Sequence, residues 1–252
     1  LEETLPSLLA LVTLTFLVGF VYSSVGHGGA SGYLAILSFF AFPHEQMAAS
    51  ALCLNLLVAG TAFFAFRKAG HFSWKLTWPF VITSVPAALL GGLTRVSPIL
   101  YTRLLAAVLV FAGVRLLIER KSGEGVASSE PKLWISLPTG AGVGLLSGVV
   151  GVGGGIFLSP LLLLFRWAGT KETAATSALF IFVNSLAGLG GRFLRHDFSV
   201  LVPPVMLLMV VNAFLGGLVG SRLGANHFSA PWLKRVLAVV LFVAAFKLFR
   251  IS

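Results

Sequence analysis

Runs of apolar residues fill this chain from end to end, and polar residues fall into short gaps between them. The apolar segments lie near 8–42, 47–66, 76–94, 100–118, 133–167, 173–194, 200–221 and 232–249. Six have the length of one membrane-spanning helix, about 20 residues. The first and fifth run to about 35 residues, too long for one straight crossing at ~1.5 Å per residue. Each is interrupted near its middle by glycines, "GHGG" at 26–29 and "GVGGG" at 151–155. Consecutive glycines disfavour helix by about 1 kcal/mol each relative to alanine. These two segments therefore read as broken helices or re-entrant hairpins. None of the runs alternates apolar and polar residues as a membrane barrel strand would.

The one long polar stretch, "ERKSGEGVASSEPK" at 119–132, falls near the midpoint, and the sequence on its two sides repeats. "GHGGASGYLAIL" at 26–37 matches "GVGGGIFLSPLL" at 151–162, and "EQMAASAL" at 45–52 matches "ETAATSAL" at 172–179. "HFS" at 71–73 matches "DFS" at 197–199, and "ALLGGL" at 88–93 matches "AFLGGL" at 213–218. "RLLAAVLVFAGVRLL" at 103–117 matches "RVLAVVLFVAAFKLF" at 235–249. The landmarks keep their order and a nearly constant offset, which marks an internal repeat. The expected fold is an all-α polytopic membrane protein with about eight transmembrane segments. They form two homologous four-segment halves, each with a glycine-broken first segment. The first repeat spans 1–120, a polar linker 121–131, and the second repeat 132–252.

Composition agrees with this class: 57% of the 252 residues are hydrophobic and 10% charged. The formal net charge of +10 would suggest nucleic acid in a soluble protein. Here the basic residues sit in short loops and at helix ends, so they set orientation and meet lipid headgroups. No nucleic-acid partner is expected. The lone cysteine, Cys53, excludes an internal disulfide and speaks against a cysteine metal cluster. No cofactor or metal site is expected, and no cleavable signal is evident, because Glu2 and Glu3 rather than basic residues precede the first apolar run. If all eight segments cross once and the N-terminus is cytoplasmic, eleven of the eighteen Lys and Arg residues lie inside. The expected location is the bacterial inner or plasma membrane, with both termini cytoplasmic. Four crossings per half make the repeats parallel; an even number of crossings by each glycine segment would invert them.

The glycine breaks admit three readings. A phosphate-binding loop lacks its strand–turn–helix setting and its G-K-[ST]. Close helix packing suits "LLGGL" at 89–93 and "FLGGLVG" at 214–220. A discontinuous-helix binding site suits the clusters at 26–32 and 151–155. Unwound backbone at membrane depth is tolerated only where protein or a water-filled cavity satisfies it. Two such breaks in corresponding places are the best sequence pointer to a transport site. A half-helix starting after each break would aim its N–H groups and positive dipole end at an anion.

The candidate substrate-binding residues follow from this reading. They are Gly26, His27, Gly28, Gly29, Ser31 and Tyr33 at the first break and Gly151, Gly153, Gly154 and Gly155 at the second. His27 either bonds a carbonyl of the broken helix or serves as an anion donor or proton carrier. Ser50 and Asn55 lie mid-span in the first half. Thr173, Ser177, Asn184, Gly188 and Arg192 form one small, polar helix face in the second. Of these, Ser50, Asn55, Ser177, Asn184 and Arg192 join the candidate set. Arg192 is either an interfacial anchor or a fork for oxyanion oxygens. No intramembrane carboxylate pair, HExxH or GxSxG occurs, so an enzyme is not expected.

"GVVGVGGGIFLSPLLL" followed by "TKETAATSALFIFVNSLAG" resembles the TauE/SafE family of sulfite and organosulfonate exporters. The likeness covers essentially the whole chain. It departs in the first half, where His27 and Ala30 interrupt the glycine run and Ala35 stands opposite Pro160. The resemblance implies a secondary transporter, an exporter, of a small oxyanion such as sulfite, thiosulfate or an organosulfonate. The expected partners are that anion and membrane lipid, with a coupling proton or other ion and a homodimer as further candidates. A passive anion channel and a non-transporting membrane scaffold or accessory subunit remain alternatives.

Overall fold

The computed structural model describes residues 5–118, 131–196 and 203–226, and scattered helical residues between 239 and 249. Nine helices are described and no strand is found among these residues: α1 (Leu5–Ser23), α2 (Ala30–Phe39), α3 (His44–Lys68), α4 (Trp74–Leu93), α5 (Pro98–Ile118), α6 (Leu133–Val150), α7 (Gly155–Leu164), α8 (Thr170–Leu194) and α9 (Pro203–Asn226). Five are long and apolar enough to cross a membrane: Gln46–Lys68, Trp74–Leu93, Leu133–Val150, Thr170–Leu194 and Pro204–Asn226. Leu8–Ser23, Ala30–Phe39, Pro98–Val114 and Gly155–Leu164 are shorter apolar helices. The expected segments 8–42 and 133–167 each correspond to two helices. The expected segment 232–249 and the linker 121–131 lie largely outside the described residues.

Local chemistry explains where the helices stop. Gly26, at φ 77°, closes α1: its N–H bonds to the Ser23 carbonyl and the next N–H, of His27, to the Tyr22 carbonyl. This is the glycine-terminated helix end in which a left-handed residue turns the chain back. Gly29, also left-handed at φ 93°, then opens α2. At the second site Gly151 closes α6 at φ 87° and Gly154 opens α7 at φ 82°. Two left-handed residues three apart, with helix on either side, need glycine at both places.

The helix directions follow from residue-to-residue contacts. A Cβ on Gly216, Gly220 or Gly224 of α9 would strike the backbone of Phe16 or Phe20 on α1 or of Ser24 just past its end, so α1 and α9 run parallel. Gly140, Gly144 and Gly148 of α6 meet Phe80, Ser84 and Ala88 of α4 in the same way, so α4 and α6 run parallel. Between α3 and α8, Leu52 faces Gly188, Asn55 bonds Ser185 and Gly60 faces Phe182, so these two are antiparallel. Thr77 and Thr176 pair at the start of α4 and α8, and Gly92 meets Gly188 near their ends. Gly217 of α9 faces Val58 and Thr61 of α3, and Ala225 clusters with Phe66. Helices α1, α3 and α9 therefore point one way and α4, α6 and α8 the other. The Tyr101 hydroxyl, at the start of α5, donates to the Val150 carbonyl at the end of α6, so α5 runs with α1.

Because α1 and α3 share a direction, the chain between them must return. The N–H of Ala30 bonds to Asn55, roughly 16 Å along α3 from its start at 1.5 Å per residue. The ten-residue α2 descends over about that distance and hands over to α3. It is a half-length return helix, and α7, also ten residues, stands in the same relation to α8.

Candidate functional site

The two breaks meet in the interior. Asn55 joins them: its Oδ1 accepts from Ala30 N–H at 3.2 Å, and its Nδ2 donates to the Val152 carbonyl at 3.3 Å and to Ser185 Oγ at 3.1 Å. One fully buried amide thus holds the first N–H of α2, the backbone just before α7 and a side chain of α8. The glycines are what let it do so. A Cβ on Gly28 would strike Asn55 Oδ1, and one on Gly153 would strike Asn55 Nδ2.

A second polar chain crosses between the halves. His27 Nδ1 lies 3.0 Å from the Val25 carbonyl, and His27 Nε2 lies 3.0 Å from Ser159 Oγ on α7. Ser159 Oγ is in turn 2.8 Å from the Gly155 carbonyl and 2.7 Å from Ser177 Oγ on α8. Both chains run through the side chains of helices packed around the breaks, so neither break is left to face lipid unsupported.

Around these lie the remaining candidates. Ser31 Oγ and Tyr22 OH pair at 2.6 Å, both buried. Tyr33 is fully buried, its ring lies against Gly29, and its hydroxyl has no hydrogen-bond partner. Gly26 approaches the backbone of Ala174 on α8, and Gly151 that of Ala48 on α3. Beyond Gly154 stand Phe180 and Val143, and beyond Gly155 stands Ile181. Asn184 Nδ2 donates to the Phe180 carbonyl at 2.8 Å, while its buried Oδ1 has no partner. Ser50 is buried on α3.

Arg192 has a different neighbourhood. Its Nη2 donates to the carbonyls of Gly148 at 3.3 Å and Val149 at 2.8 Å, the last turn of α6. With Tyr101 on the Val150 carbonyl, it satisfies the C-terminal carbonyls that a buried helix end otherwise leaves orphaned. A cation there also complements the negative end of the helix dipole. Arg192 is 7% exposed, buried against the end of α6.

Sequence reasoning brought His27, Asn55, Ser177 and the glycines to one place. It missed Ser159, Ser185, Tyr22 and Tyr101. Ser159 carries a signal in retrospect: it sits four residues beyond Gly155, on the face that α7 turns toward its own N-terminal carbonyl.

Chemically, the site offers two helix N-termini, whose first N–H groups have no acceptor within their own helix. It adds the hydroxyls of Tyr33, Ser31, Ser159 and Ser177 and one imidazole. Such a set suits a small anion bound mostly by donors.

A family model described as sulfite exporter TauE/SafE matches residues 11–248. A probable membrane transporter protein of Sinorhizobium fredii, y4hK, is 34% identical over 236 residues, covering 92% of this chain and 94% of its own length. A probable membrane transporter protein of Methanocaldococcus jannaschii, MJ0441, is 24% identical over 95% of this chain and 94% of its own length. The probable membrane transporter protein MamO of Paramagnetospirillum magneticum is 24% identical over 88% of this chain but only 41% of its own length. No solved structure matches the chain.

Proposed function

The chain belongs to the sulfite exporter TauE/SafE family, a family of membrane transporters, and on that premise we propose that it is a secondary transporter that exports a small oxyanion. The substrate class is sulfite, thiosulfate or an organosulfonate, bound between the N-termini of α2 and α7. One observation carries this reading. Two ten-residue helices begin at left-handed glycines, Gly29 and Gly154, and Asn55 ties both beginnings together. A half-helix is a poor membrane anchor, but its N-terminus is a ready anion site.

The two halves, 1–120 and 132–252, are on this reading an inverted repeat. In support, α3 and α8 are each 25 residues long, and Ala41 and Arg166 take left-handed φ of 55° and 52° just past α2 and α7. The packing also survives exchange of the halves: α1 lies on α9 as α6 lies on α4. The corresponding helices run in opposite directions, as in transporters that alternate access by rocking one repeat against the other.

This arrangement changes the orientation expected from eight single crossings. Among the described residues, Arg67, Lys68, Lys75, Arg115, Lys132, Arg166, Lys171 and Arg222 fall on the side of the α3–α4 turn, and Arg95, Arg103, Arg192 and Arg195 on the other. The positive-inside rule then places the α3–α4 turn in the cytoplasm and the start of α1 outside.

Flux of radiolabelled thiosulfate into proteoliposomes tests the function. A transporter gives saturable uptake. Conductance that stays linear with concentration would make the protein a channel, and absence of flux would leave the scaffold reading.

A further inference from the structure

His27 sits where the two halves exchange a hydrogen bond, and its geometry constrains its protons. The Val25 carbonyl, 3.0 Å from Nδ1, can only accept, so Nδ1 carries a proton whether the ring is neutral or charged. In the neutral ring Nε2 is then a bare acceptor, and Ser159 Oγ, 3.0 Å away, must donate to it. A serine hydroxyl has one proton to give. With that proton on His27, Ser159 can give none to the Gly155 carbonyl at 2.8 Å, and Ser177, at 2.7 Å, is the donor to Ser159. When Nε2 gains a proton the order reverses. Nε2–H donates to Ser159, and the Ser159 proton turns to the Gly155 carbonyl or to Ser177.

We propose that His27 Nε2 is a proton-binding site coupled to the anion, and that Ser159 and Ser177 carry its state to the first turn of α7 and to α8. A proton on Nε2 also places a full positive charge beside the first break, in front of the proposed anion site. Anion and proton then bind more tightly together than apart, and the coupling is reciprocal. The proposal deepens the anion-transport reading and rests on it for the ligand; the proton site itself stands on the geometry above.

Among the described residues, His27 is the titratable member of the His27–Ser159–Ser177 hydrogen-bond chain. Tyr22 of α1 meets its ring edge-on at 6.4 Å. Helix α7 presents Ser159 and α8 presents Ser177. Asn55 of α3 lies against neighbouring Gly28, and α9 approaches at Ser24 through Gly224. The charged residues of these elements sit at helix ends: Glu45 at the start and Arg67 and Lys68 at the end of α3, Arg222 on α9, and Lys171 and Glu172 on α8, the latter glutamate bonded to Ser73 and the Gly169 backbone. Arg192, at the far end of α8, caps α6.

The test is calorimetry of thiosulfate binding to the purified full chain between about pH 5.5 and 8, a window that brackets histidine titration. Thiosulfate does not itself titrate there. Paired buffers of different ionisation heat report protons taken up. Binding should tighten about tenfold toward the acid end for a coupling of one pKa unit, with up to one proton taken up per anion. His27→Gln should bind at the weak alkaline level with a flat pH profile. A flat profile in the wild type, or proton uptake that survives His27→Gln, overturns the proposal. If thiosulfate binds at no pH, the anion reading fails, and imidazole nitrogen NMR on histidine-labelled protein judges the proton site alone. A titrating signal that is lost in His27→Gln and displaced by Ser159→Ala upholds it. Absence of such a signal, or indifference to Ser159→Ala, overturns it.

Discussion

Asn55 is the residue on which the interior depends most, because three hydrogen bonds from one buried amide bind both breaks. Asn55→Leu keeps the branched heavy-atom shape and leaves the Ala30 N–H and the Val152 carbonyl without this partner. Each orphaned buried group costs about 1–3 kcal/mol, so the variant should melt well below the wild type in detergent. A melt unchanged within a degree or two would mean that the bridge is not a working contact. Gly154 acts differently. A Cβ there lies 2.8 Å from Phe180 and 2.9 Å from Val143, at a φ of 82° that resists any side chain. Gly154→Val should reduce thiosulfate binding tenfold or more, the loss of ~1.4 kcal/mol. Undiminished calorimetric affinity would remove this break from the anion site. The glycines, His27, Asn55 and Ser177 were legible as residues because polar or flexible positions in a greasy span demand a reason. Their partners were not, since Ser159 lies 132 residues from His27 and Ser185 lies 130 from Asn55. Arg192 was ambiguous in sequence because a snorkelling arginine and a helix-capping one look alike until the helix end is located.

Two glycine-spaced helix pairs hold the fold at the scale of the element. Lipid offers no hydrophobic drive between helices, so close backbone approach through small residues supplies the contact. On α6 the stripe Gly140, Gly144, Gly148 lies against α4, whereas Gly142 faces open space. Gly144→Ala should therefore lower the melting temperature by several degrees and Gly142→Ala should not; equal effects would show that the stripe is not the packing seam. On α9 the corresponding choice falls on Gly216. Its Cβ would meet the Phe16 carbonyl, while that of Gly217 meets only side chains of Thr61 and Val58 at 3.1–3.2 Å. Gly216→Ala should thus be the more damaging change, read in the same melting experiment. The sequence motif "LGGL" marked these sites as packing positions but did not say which of the two glycines meets backbone. That depends on helix rotation, which the partner decides.

At the scale of the whole molecule the breaks change parity. A glycine segment read as one crossing makes the halves parallel; a full helix followed by a half-length return makes them antiparallel. Hydropathy could not tell these apart, because both use the same apolar residues in the same order. Cysteine labelling in a Cys53→Ala background separates them. Lys68→Cys, Lys132→Cys and Lys171→Cys should label from one side of the membrane, and Arg95→Cys and Arg195→Cys from the other. Eight single crossings would instead group Arg195→Cys with Lys68→Cys and Lys171→Cys with Arg95→Cys. The two turns were legible as glycine positions, and Gly26 and Gly151 both take left-handed backbone; that they mark a repeat is part of the proposal. What the halves do together is the central claim, and a structure determined with selenite, whose selenium marks a sulfite-like anion by anomalous scattering, tests it most directly. The account predicts one internal peak within hydrogen-bond reach of first-turn N–H groups of α2 beyond Ala30, whose own N–H is held by Asn55, and of α7. Selenium found only beside exposed arginines, or an internal peak remote from both helix starts, would contradict it.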